Sequence, residues 1–397
     1  MIALSLLDYR SDVLIKCAQL LETQGQNVCY FSNQNMRDII ENDRFLEFKI
    51  NTETDEHPQL RSKFIEIYKN DRSLKYYLSE DLAPRVLASW LSESLTFIHK
   101  YDVKCAVIEG TPAHELIFEI ACEMLGVKVI NIFHAPGPRG WSLISSSSIE
   151  YPLYKCSQYK SRYLQDLSRK SDERKIYVDT KESWDKKIYR FIRREKNYNY
   201  YPKWKIILDA FATPFSLALS LILVKIKGNA GNSVFYLHME PERTVSNCGA
   251  PFSSQKQALD YITNTLNINI TLKEHPDWLG KRPLRFLIYV FLNPNLNYIL
   301  KSGNSHGLTW TFSGSIAWEN ELNSKKTVIL GNTYLKHAKN VYALFARNEI
   351  VSKEENFFDY IASHAFPCEL AGANLSSYVM SDENIKNLSA AIMQCSK

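Results

Sequence analysis

The sequence predicts an α/β protein with two Rossmann-like domains that face a cleft and are joined by a helical linker. Three observations support this prediction. The chain has 397 residues, of which 45% are hydrophobic, and this is enough apolar material for two domains of ordinary size. Short apolar runs alternate with helix-like patterns in both halves. A basic stretch separates the halves, so we divide the chain into residues 1–150, 151–230, 231–345 and 346–397.

The first of these regions, residues 1–150, predicts a Rossmann-like domain. Apolar runs at residues 2–7 and 103–108 each precede a pattern typical of a helix, at residues 12–21 and 114–125. Strands and helices that alternate at these lengths form βαβ units, in which the strands are parallel. We therefore expect a parallel sheet with helices on its faces.

The linker, residues 151–230, is basic and aromatic at its start and apolar at its end. Residues 151–205 contain 16 Lys plus Arg and 7 Asp plus Glu, a net charge of about +9 that exceeds the +5 of the whole chain. Residues 206–224 are almost wholly apolar, and their uncharged part, residues 210–224, is too short to span a bilayer comfortably. Three interpretations stay open: a helix that rests on an anionic membrane surface, a buried helix between domains, or a transmembrane span.

Alternation resumes in residues 231–345 and predicts a second Rossmann-like domain. Runs rich in apolar and β-branched residues read as strands, and longer periodic runs read as helices. The predicted strands are residues 234–237, 268–272, 298–300, 308–312 and 327–330, the predicted helices are residues 254–266 and 316–322, and residues 346–397 read as closing helices.

Three polar motifs follow predicted strands of this second domain. They are His-Met-Glu-Pro-Glu at residues 238–242, Lys-Glu-His-Pro at residues 273–276 and Ser-Gly-Ser at residues 313–315. Each motif alone also fits an ordinary loop or a capped helix start. Because the carboxyl ends of parallel strands share one edge of a sheet, where such sheets bind ligands, the three together predict one site. We expect a nucleotide sugar to bind there.

The residue types in these motifs suit a phosphate and a sugar. A lysine and a histidine can bind a phosphate, the first as a point charge and the second as a donor. A small-residue turn before a helix offers backbone amides to an anion, and carboxylates can accept from sugar hydroxyls. The predicted donor-binding residues are His238, Glu242, Lys273, His275, Ser313, Gly314, Ser315 and Glu319.

An acceptor base is predicted in the N-terminal domain. Glu109 follows the predicted strand 103–108, and His114 opens the next helix. Either side chain could take a proton from an acceptor hydroxyl. Glu109 and His114 are therefore competing candidates for the catalytic base.

Absent motifs and cysteine usage narrow the class of protein. The sequence lacks Asp-x-Asp, His-Glu-x-x-His, Gly-x-x-x-x-Gly-Lys and Gly-x-Gly-x-x-Gly, so it predicts neither a metal nor another cofactor. Eight cysteines without a Cys-x-x-Cys pair indicate reduced thiols and a cytoplasmic protein without a secretion signal. The net charge of +5 is small for this length and predicts no nucleic-acid partner.

The motifs resemble those of the bacterial capsule polysaccharide biosynthesis proteins related to Kdo transferases, which have the two-Rossmann glycosyltransferase-B fold. That family has His-x-Gln-Pro-Glu, Lys-Glu-His-Pro and a Thr-Gly-Thr-like turn followed by a helical Glu, in the same order as residues 238–242, 273–276 and 313–315 with Glu319. The resemblance covers residues 233–335 and is only topological in the N-terminal half. Here Glu240 replaces the family's Gln.

This resemblance implies a metal-independent glycosyltransferase with a C-terminal nucleotide-sugar domain and an N-terminal acceptor domain. The His-Pro pair is also similar to the CMP-binding motif of bacterial sialyltransferases, so the implied donor is a CMP-activated ulosonic or sialic acid, with His275 as a catalytic residue on its phosphate. The implied acceptor is a capsule glycan, another cell-surface glycan or a glycolipid, and the protein would work in the cytoplasm or on the inner face of the cell membrane. Two alternatives stay open: a nucleotide-sugar 2-epimerase, and a non-catalytic membrane-docked polysaccharide assembly subunit.

Overall fold

The chain folds into two compact units. The computed structural model describes residues 1–7, 11–33, 40, 43–71, 74–110, 112–138, 140–146, 152, 154–168, 203–229, 231–238, 252, 254–275, 278–300, 307–312, 314–331, 333–345, 356–370 and 379–396. The first unit comprises residues 1–200 and 358–397, and the second comprises residues 201–357. The C-terminal segment therefore belongs to the same unit as the N-terminus.

A seven-stranded sheet forms the centre of the first unit in the described part of the chain. Its order is β13-β6-β5-β4-β1-β2-β3, in which β3, β2, β1, β4 and β5 are parallel and β6 runs antiparallel to both of its neighbours, β5 and β13. The strands are β1 (Ile2–Ser5), β2 (Val28–Ser32), β3 (Phe45–Glu47), β4 (Cys105–Ile108), β5 (Lys128–His134), β6 (Trp141–Ser145) and β13 (Phe366–Pro367).

Helices cover both faces of this sheet, and its central strands are apolar at every position except Ser5 and Ser32. Every residue of β1, β2 and β4 is buried, as expected for strands covered on both sides. One face packs against α1 and α11, and the other packs against α2, α3 and α4. The helices of this unit are α1 (Ser11–Thr23), α2 (Arg61–Asn70), α3 (Ala83–Lys100), α4 (Ala113–Leu125), α5 (Lys160–Ser168), α10 (Phe357–Ala362, at the junction of the units) and α11 (Asp382–Ser396).

The second unit contains six parallel strands among its described residues. Their order is β12-β11-β10-β7-β8-β9. The strands are β7 (Ser233–Tyr236), β8 (Ile270–Lys273), β9 (Leu296–Ile299), β10 (Leu308–Thr311), β11 (Thr327–Ile329) and β12 (Val341–Ala343), and the helices are α6 (Lys203–Lys227), α7 (Gln255–Asp260), α8 (Leu284–Leu292) and α9 (Ser315–Leu322).

Both sheets have the Rossmann strand order. In each, the first strand lies beside the second and the fourth, so the chain moves outward in both directions from one switch point. That point lies between β1 and β4 in the first unit and between β7 and β10 in the second. The predicted class, an α/β protein with two Rossmann-like units, is confirmed.

Several predicted elements differ from the structure. The helix predicted at residues 254–266 is α7 followed by the π-helical turn Tyr261–Thr265. Residues 346–397 contain the strand β13 as well as α10 and α11. Helix α8 was not predicted, because its residues Leu-Arg-Phe-Leu-Ile-Tyr-Val-Phe-Leu lack the polar face that would mark a helix.

The apolar linker segment is the helix α6, which contains Pro214. Within the described ranges, no helix combines the length and the apolar character needed to cross a membrane. Residues 169–202 of the predicted linker lie outside the described part of the chain.

Candidate functional site

A histidine and a threonine meet at the switch point of the second sheet. His238 follows β7 and Thr311 ends β10, and 2.8 Å separates His238 Nε2 from Thr311 Oγ1. The amide of Gly314 donates to the same hydroxyl oxygen at 3.2 Å. A Cβ atom at Gly314 would lie 3.0 Å from both His238 Cε1 and Thr311 Oγ1, so this close approach favours glycine. Open α/β sheets bind their ligands at this position.

The backbone of His238 is fixed by two buried side chains. Its amide donates to Gln255 Oε1 at 2.7 Å, and Gln255 Nε2 donates back to its carbonyl at 3.1 Å. Arg282 Nη2 donates to the same carbonyl at 2.7 Å. His238 is therefore held through its backbone and its ring.

Arg282 also forms a buried ion pair with Glu274. The two side chains are 2% and 1% exposed, and Arg282 Nη2 lies 2.8 Å from Glu274 Oε1. Arg282 Nε donates to Oε2 at 3.0 Å, Tyr298 Oη donates to the same oxygen at 2.6 Å, and the amide of His275 donates to Oε1 at 2.7 Å. Burying two charges is favourable only when their hydrogen bonds are satisfied in this way. Together with Gln255 and His238, these residues form what we call the Glu274 network.

The Glu274 network connects the carboxyl ends of three neighbouring strands. His238 follows β7, Glu274 and His275 follow β8, and Tyr298 lies on β9. Burial and the nearby Glu274 carboxylate raise the pKa of Tyr298 above its ordinary value, so this phenol remains a hydrogen-bond donor. The network therefore positions His238 and His275 at one edge of the sheet.

Lys273 places a partly desolvated cation at this edge. Its Nζ lies 4.9 Å from the centroid of the Tyr236 ring. Burial lowers the pKa of Lys273, and the carboxylates of Glu319 and Glu274 oppose that shift. Glu319 is an exposed residue of α9, and its carboxylate lies within electrostatic range of Lys273. A half-buried ammonium group gains most from an anionic ligand, since it has already lost part of its hydration.

The N-terminus of α9 offers amides to an anion at the same edge of the sheet. Gly314 precedes α9, no described side chain caps the helix, and its first turn contains no acidic residue. The first amides of a helix have no intrahelical acceptor and carry the positive end of its dipole. Ser315 adds an exposed residue with a hydroxyl group at the same turn. The turn and Lys273 together can bind a phosphate.

The corresponding helix of the first unit is already neutralised by protein carboxylates. Asp71 Oδ2 accepts from the amide of Ala113, the first residue of α4, at 2.9 Å. Glu115 Oε2 accepts from the amides of Glu109 and Gly110 at 3.0 and 2.7 Å. Gly110 has a φ angle of 71°, which favours glycine at this turn. A phosphate would face these carboxylates, so the second unit is the better nucleotide site.

The two predicted acceptor bases lie in different surroundings. Glu109 is partly exposed at the end of β4. His114 is fully buried, its ring lies 6.5 Å from Phe31 and 5.7 Å from Phe48 by ring centroids, and burial lowers its pKa to about 3. A neutral imidazole in the hydrophobic core cannot contact an acceptor from this position. This placement corrects the expectation for His114.

Most of the predicted donor-binding residues can be located. His238 and Gly314 are in contact, Lys273 and Glu319 interact electrostatically, and His275 is partly exposed next to Glu274. Glu242 and Ser313 lie outside the described residues.

Five further residues of this site were not predicted. Glu274 lies inside the Lys-Glu-His-Pro motif, but it had no predicted role because the sequence does not show that Arg282 pairs with it. Arg282 follows a loop and carries no sequence signal for burial. The residues without a predicted role are Gln255, Glu274, Arg282, Tyr298 and Thr311.

Across the ranges that the structure describes, no three or more His, Cys, Asp or Glu side chains gather as metal ligands would. No role of a metal ion is derived from this arrangement.

Comparisons with known proteins identify similar structures only. No protein-family model and no curated protein matches the sequence. Similar solved structures include the KpsC beta Kdo 2,7 transferase of Thermosulfurimonas dismutans, with 10% identity, 77% of this chain and 90% of that chain covered, and a TM-score of 0.36. The UDP-GlcNAc 2-epimerase of Methanocaldococcus jannaschii has 13% identity, 99% coverage of both chains and a TM-score of 0.27. MurG of Acinetobacter baumannii has 8% identity, 99% coverage of both chains and a TM-score of 0.27. Because these TM-scores are below 0.5, the fold class rests on the two sheets themselves.

Proposed function

We propose that this chain is a cytoplasmic glycosyltransferase of the glycosyltransferase-B class, which moves a sugar from a nucleotide donor to a glycan or glycolipid acceptor. The observation that supports the proposal is the half-buried Lys273 at the carboxyl edge of the second sheet, together with α9, whose N-terminus has no side-chain cap among the described residues. This arrangement suits the phosphate of a nucleotide sugar. The first unit supports the assignment because its equivalent helix start is neutralised by Asp71 and Glu115.

The proposed chemistry stabilises the departing nucleotide. As the bond between sugar and phosphate breaks, negative charge grows on the phosphate oxygens, and fixed positive groups lower the barrier most at that moment. Lys273, His275 and the first amides of α9 supply those groups. The Glu274 network holds the His275 backbone, so these donors need little rearrangement. Glu109 remains our proposed base for the acceptor hydroxyl.

The proposed donor is a CMP-activated ulosonic or sialic acid, and no metal ion is assigned a role. This choice rests on the resemblance at residues 238–242, 273–276 and 313–315. The proposed acceptor is a capsule glycan, another cell-surface glycan or a glycolipid. We further propose that the protein associates peripherally with the inner face of the cell membrane.

Thermal unfolding with CMP, UDP, GDP or TDP tests the donor site. We expect CMP to raise the unfolding temperature of the second unit by several degrees at a concentration of about 100 times Kd, since this contributes about 2.7 kcal/mol. Lys273→Gln and His275→Ala should remove most of this shift. Lys339→Gln is the matched control, because exposed Lys339 precedes β12 at the opposite edge of the sheet.

Each outcome of this measurement favours one interpretation. A shift with UDP alone would replace the CMP donor by a hexose donor or favour the 2-epimerase, which would isomerise its sugar and release UDP without an acceptor. No shift with any nucleotide would contradict a donor site and favour the non-catalytic assembly subunit. A CMP shift that survives both site substitutions would contradict the proposed position of the phosphate.

A further inference from the structure

A continuous apolar stripe on α6 is exposed to solvent. Six large apolar side chains on this helix are between 48 and 71% exposed, and all of them except Leu221 form the stripe. The spacing of three, four, seven and four residues within the stripe places its members on one face of a helix. The buried strip of the same helix is narrow and contains Ser216, Ser220 and Leu223. The stripe consists of Leu208, Phe211, Phe215, Ile222 and Ile226.

The neighbouring helix α8 extends this exposed apolar surface. Ile288, Phe291 and Leu292 are 49, 45 and 71% exposed and lie three and four residues apart on one face of α8. We call the stripe on α6 and these three residues of α8 the α6–α8 face.

Contacts at both ends show that α6 and α8 lie side by side. Lys227 Nζ, at the end of α6, donates to the carbonyl of Val290 at 2.9 Å and to that of Asn293 at 2.5 Å. Earlier on α6, Leu217 and Thr213 pack against Gly280, which precedes α8. The two helices therefore run in the same direction.

By sequence, α6, α8 and the turn before α8 carry mostly basic residues. Residues 203–227 contain four lysines and one acidic residue, Asp209, and residues 278–300 contain no acidic residue and three basic ones, of which Arg282 is buried in its ion pair with Glu274. Lys225, Lys281 and Arg285 are exposed. The basic stretch 151–205 extends into the first residues of α6.

These features identify the chemistry of the partner. Soluble monomers rarely expose large contiguous apolar patches unless these bind something. Apolar side chains with a basic rim match the acyl chains and anionic headgroups of a lipid surface. A second copy of this chain would bring like charges together, which opposes association.

We propose that the α6–α8 face docks the second unit on an anionic membrane surface, with both helices in the plane of the headgroups. The biological purpose of this docking rests on the proposed function, because docking would bring the donor site to glycolipid acceptors. Vesicle binding does not depend on catalysis and can be measured separately.

The test measures binding of the full chain to vesicles by flotation. Vesicles of equal parts phosphatidylglycerol and phosphatidylcholine should bind the protein, pure phosphatidylcholine should bind it much less, and added salt should weaken binding. Phe211→Ser with Phe215→Ser should lower the affinity by about tenfold or more, because each Phe loses apolar burial. Ile288→Ser with Leu292→Ser should act in the same direction. Lys225→Gln with Arg285→Gln should lower binding to the anionic vesicles by about tenfold.

A matched control and separate readouts keep the proposal falsifiable. Met124→Ser with Leu125→Ser removes two exposed apolar side chains of α4, 54 and 46% exposed, and should leave vesicle binding unchanged. Unchanged unfolding temperatures would show that the surface variants fold. Equal binding to both vesicle types, or parent-like binding by the Phe211/Phe215 double variant, would overturn the proposal. The proposal would also be overturned if the chain formed a dimer instead of binding vesicles and this double variant abolished the dimer.

The nucleotide response separates the two proposals. If vesicle binding persists while every nucleotide leaves the unfolding temperature unchanged, the donor site fails and the docking surface stands. If CMP stabilises the chain but anionic vesicles do not bind it, the docking surface fails and the donor site stands.

Discussion

The buried imidazole of His114 makes the stability of the first unit depend on pH. Both of its ring nitrogens lack a hydrogen-bond partner among the described residues, and burial lowers its pKa from 6.5 to about 3. Between these values the unfolded chain binds a proton that the native chain does not. The free energy of unfolding therefore falls as the pH decreases through this window.

We expect His114→Leu to remove this part of the pH dependence. The difference in unfolding free energy between the variant and its parent should be about 2 kcal/mol more favourable to the variant at pH 5 than at pH 7. This follows because one pKa unit corresponds to about 1.4 kcal/mol. At pH 7 the substitution should be close to neutral, since it removes two unpaired polar atoms. Urea unfolding followed on the first unit at both pH values measures the effect.

A control on α3 accompanies this measurement. His99 is exposed, and His99→Leu should change the unfolding free energy little at either pH. If His114→Leu and the parent lose the same stability on acidification, the pH argument is wrong.

At the scale of elements, the Glu274 network connects β7, β8 and β9 with the loop that carries Arg282. Arg282→Met would leave the buried carboxylate of Glu274 without its cation, which typically costs about 3–5 kcal/mol. We expect this loss in urea unfolding of the second unit, together with a weaker CMP response. The weaker response follows because the His238 carbonyl and the His275 amide share this network.

An exposed ion pair of the same unit provides the comparison. Lys256 Nζ lies 2.7 Å from Asp260 Oδ2, and the two side chains are 54 and 34% exposed. Lys256→Met should cost at most about 1 kcal/mol. The double variant Glu274→Gln with Arg282→Met should recover part of the loss, because it removes both charges. A cost for Arg282→Met no larger than that for Lys256→Met would contradict the network's role.

The prediction from sequence succeeded where one strand carries its own signal and failed where distant residues meet. Runs such as residues 234–237 and 308–312 are apolar enough to mark strands covered on both faces, and β7 and β10 lie there. His238 follows its strand and was found in this way. Arg282 was not predicted, because its burial depends on the carboxylate of Glu274, eight residues earlier. A loop brings the two side chains together. His114 was misread because helical periodicity gives no sign that Phe31 and Phe48 surround it.

At the scale of the whole molecule, the last helix stabilises the first strands of the chain. Helix α11 packs against α1, and Cys17 Sγ lies 3.1 Å from Ser389 Oγ. Strand β13 pairs with β6 through Phe366 and Ser142. The first unit therefore cannot complete its core until the C-terminal segment has been added.

We expect Leu388→Ala to destabilise the first unit and leave the second unchanged. Leu388 is fully buried on α11 in the core that contains Ile2, Leu4 and Leu14, and such truncations cost about 2–5 kcal/mol. Hydrogen exchange measured peptide by peptide should accelerate in β1 and β4 but not in β7 and β10. Leu287→Ala, in the core of the second unit, should give the reverse pattern, and Lys386→Ala, an exposed position on α11, should change neither. Faster exchange in both units after Leu388→Ala would contradict this prediction. It would mean that the two units unfold together, because a substitution in the core of one unit would then destabilise the strands of the other.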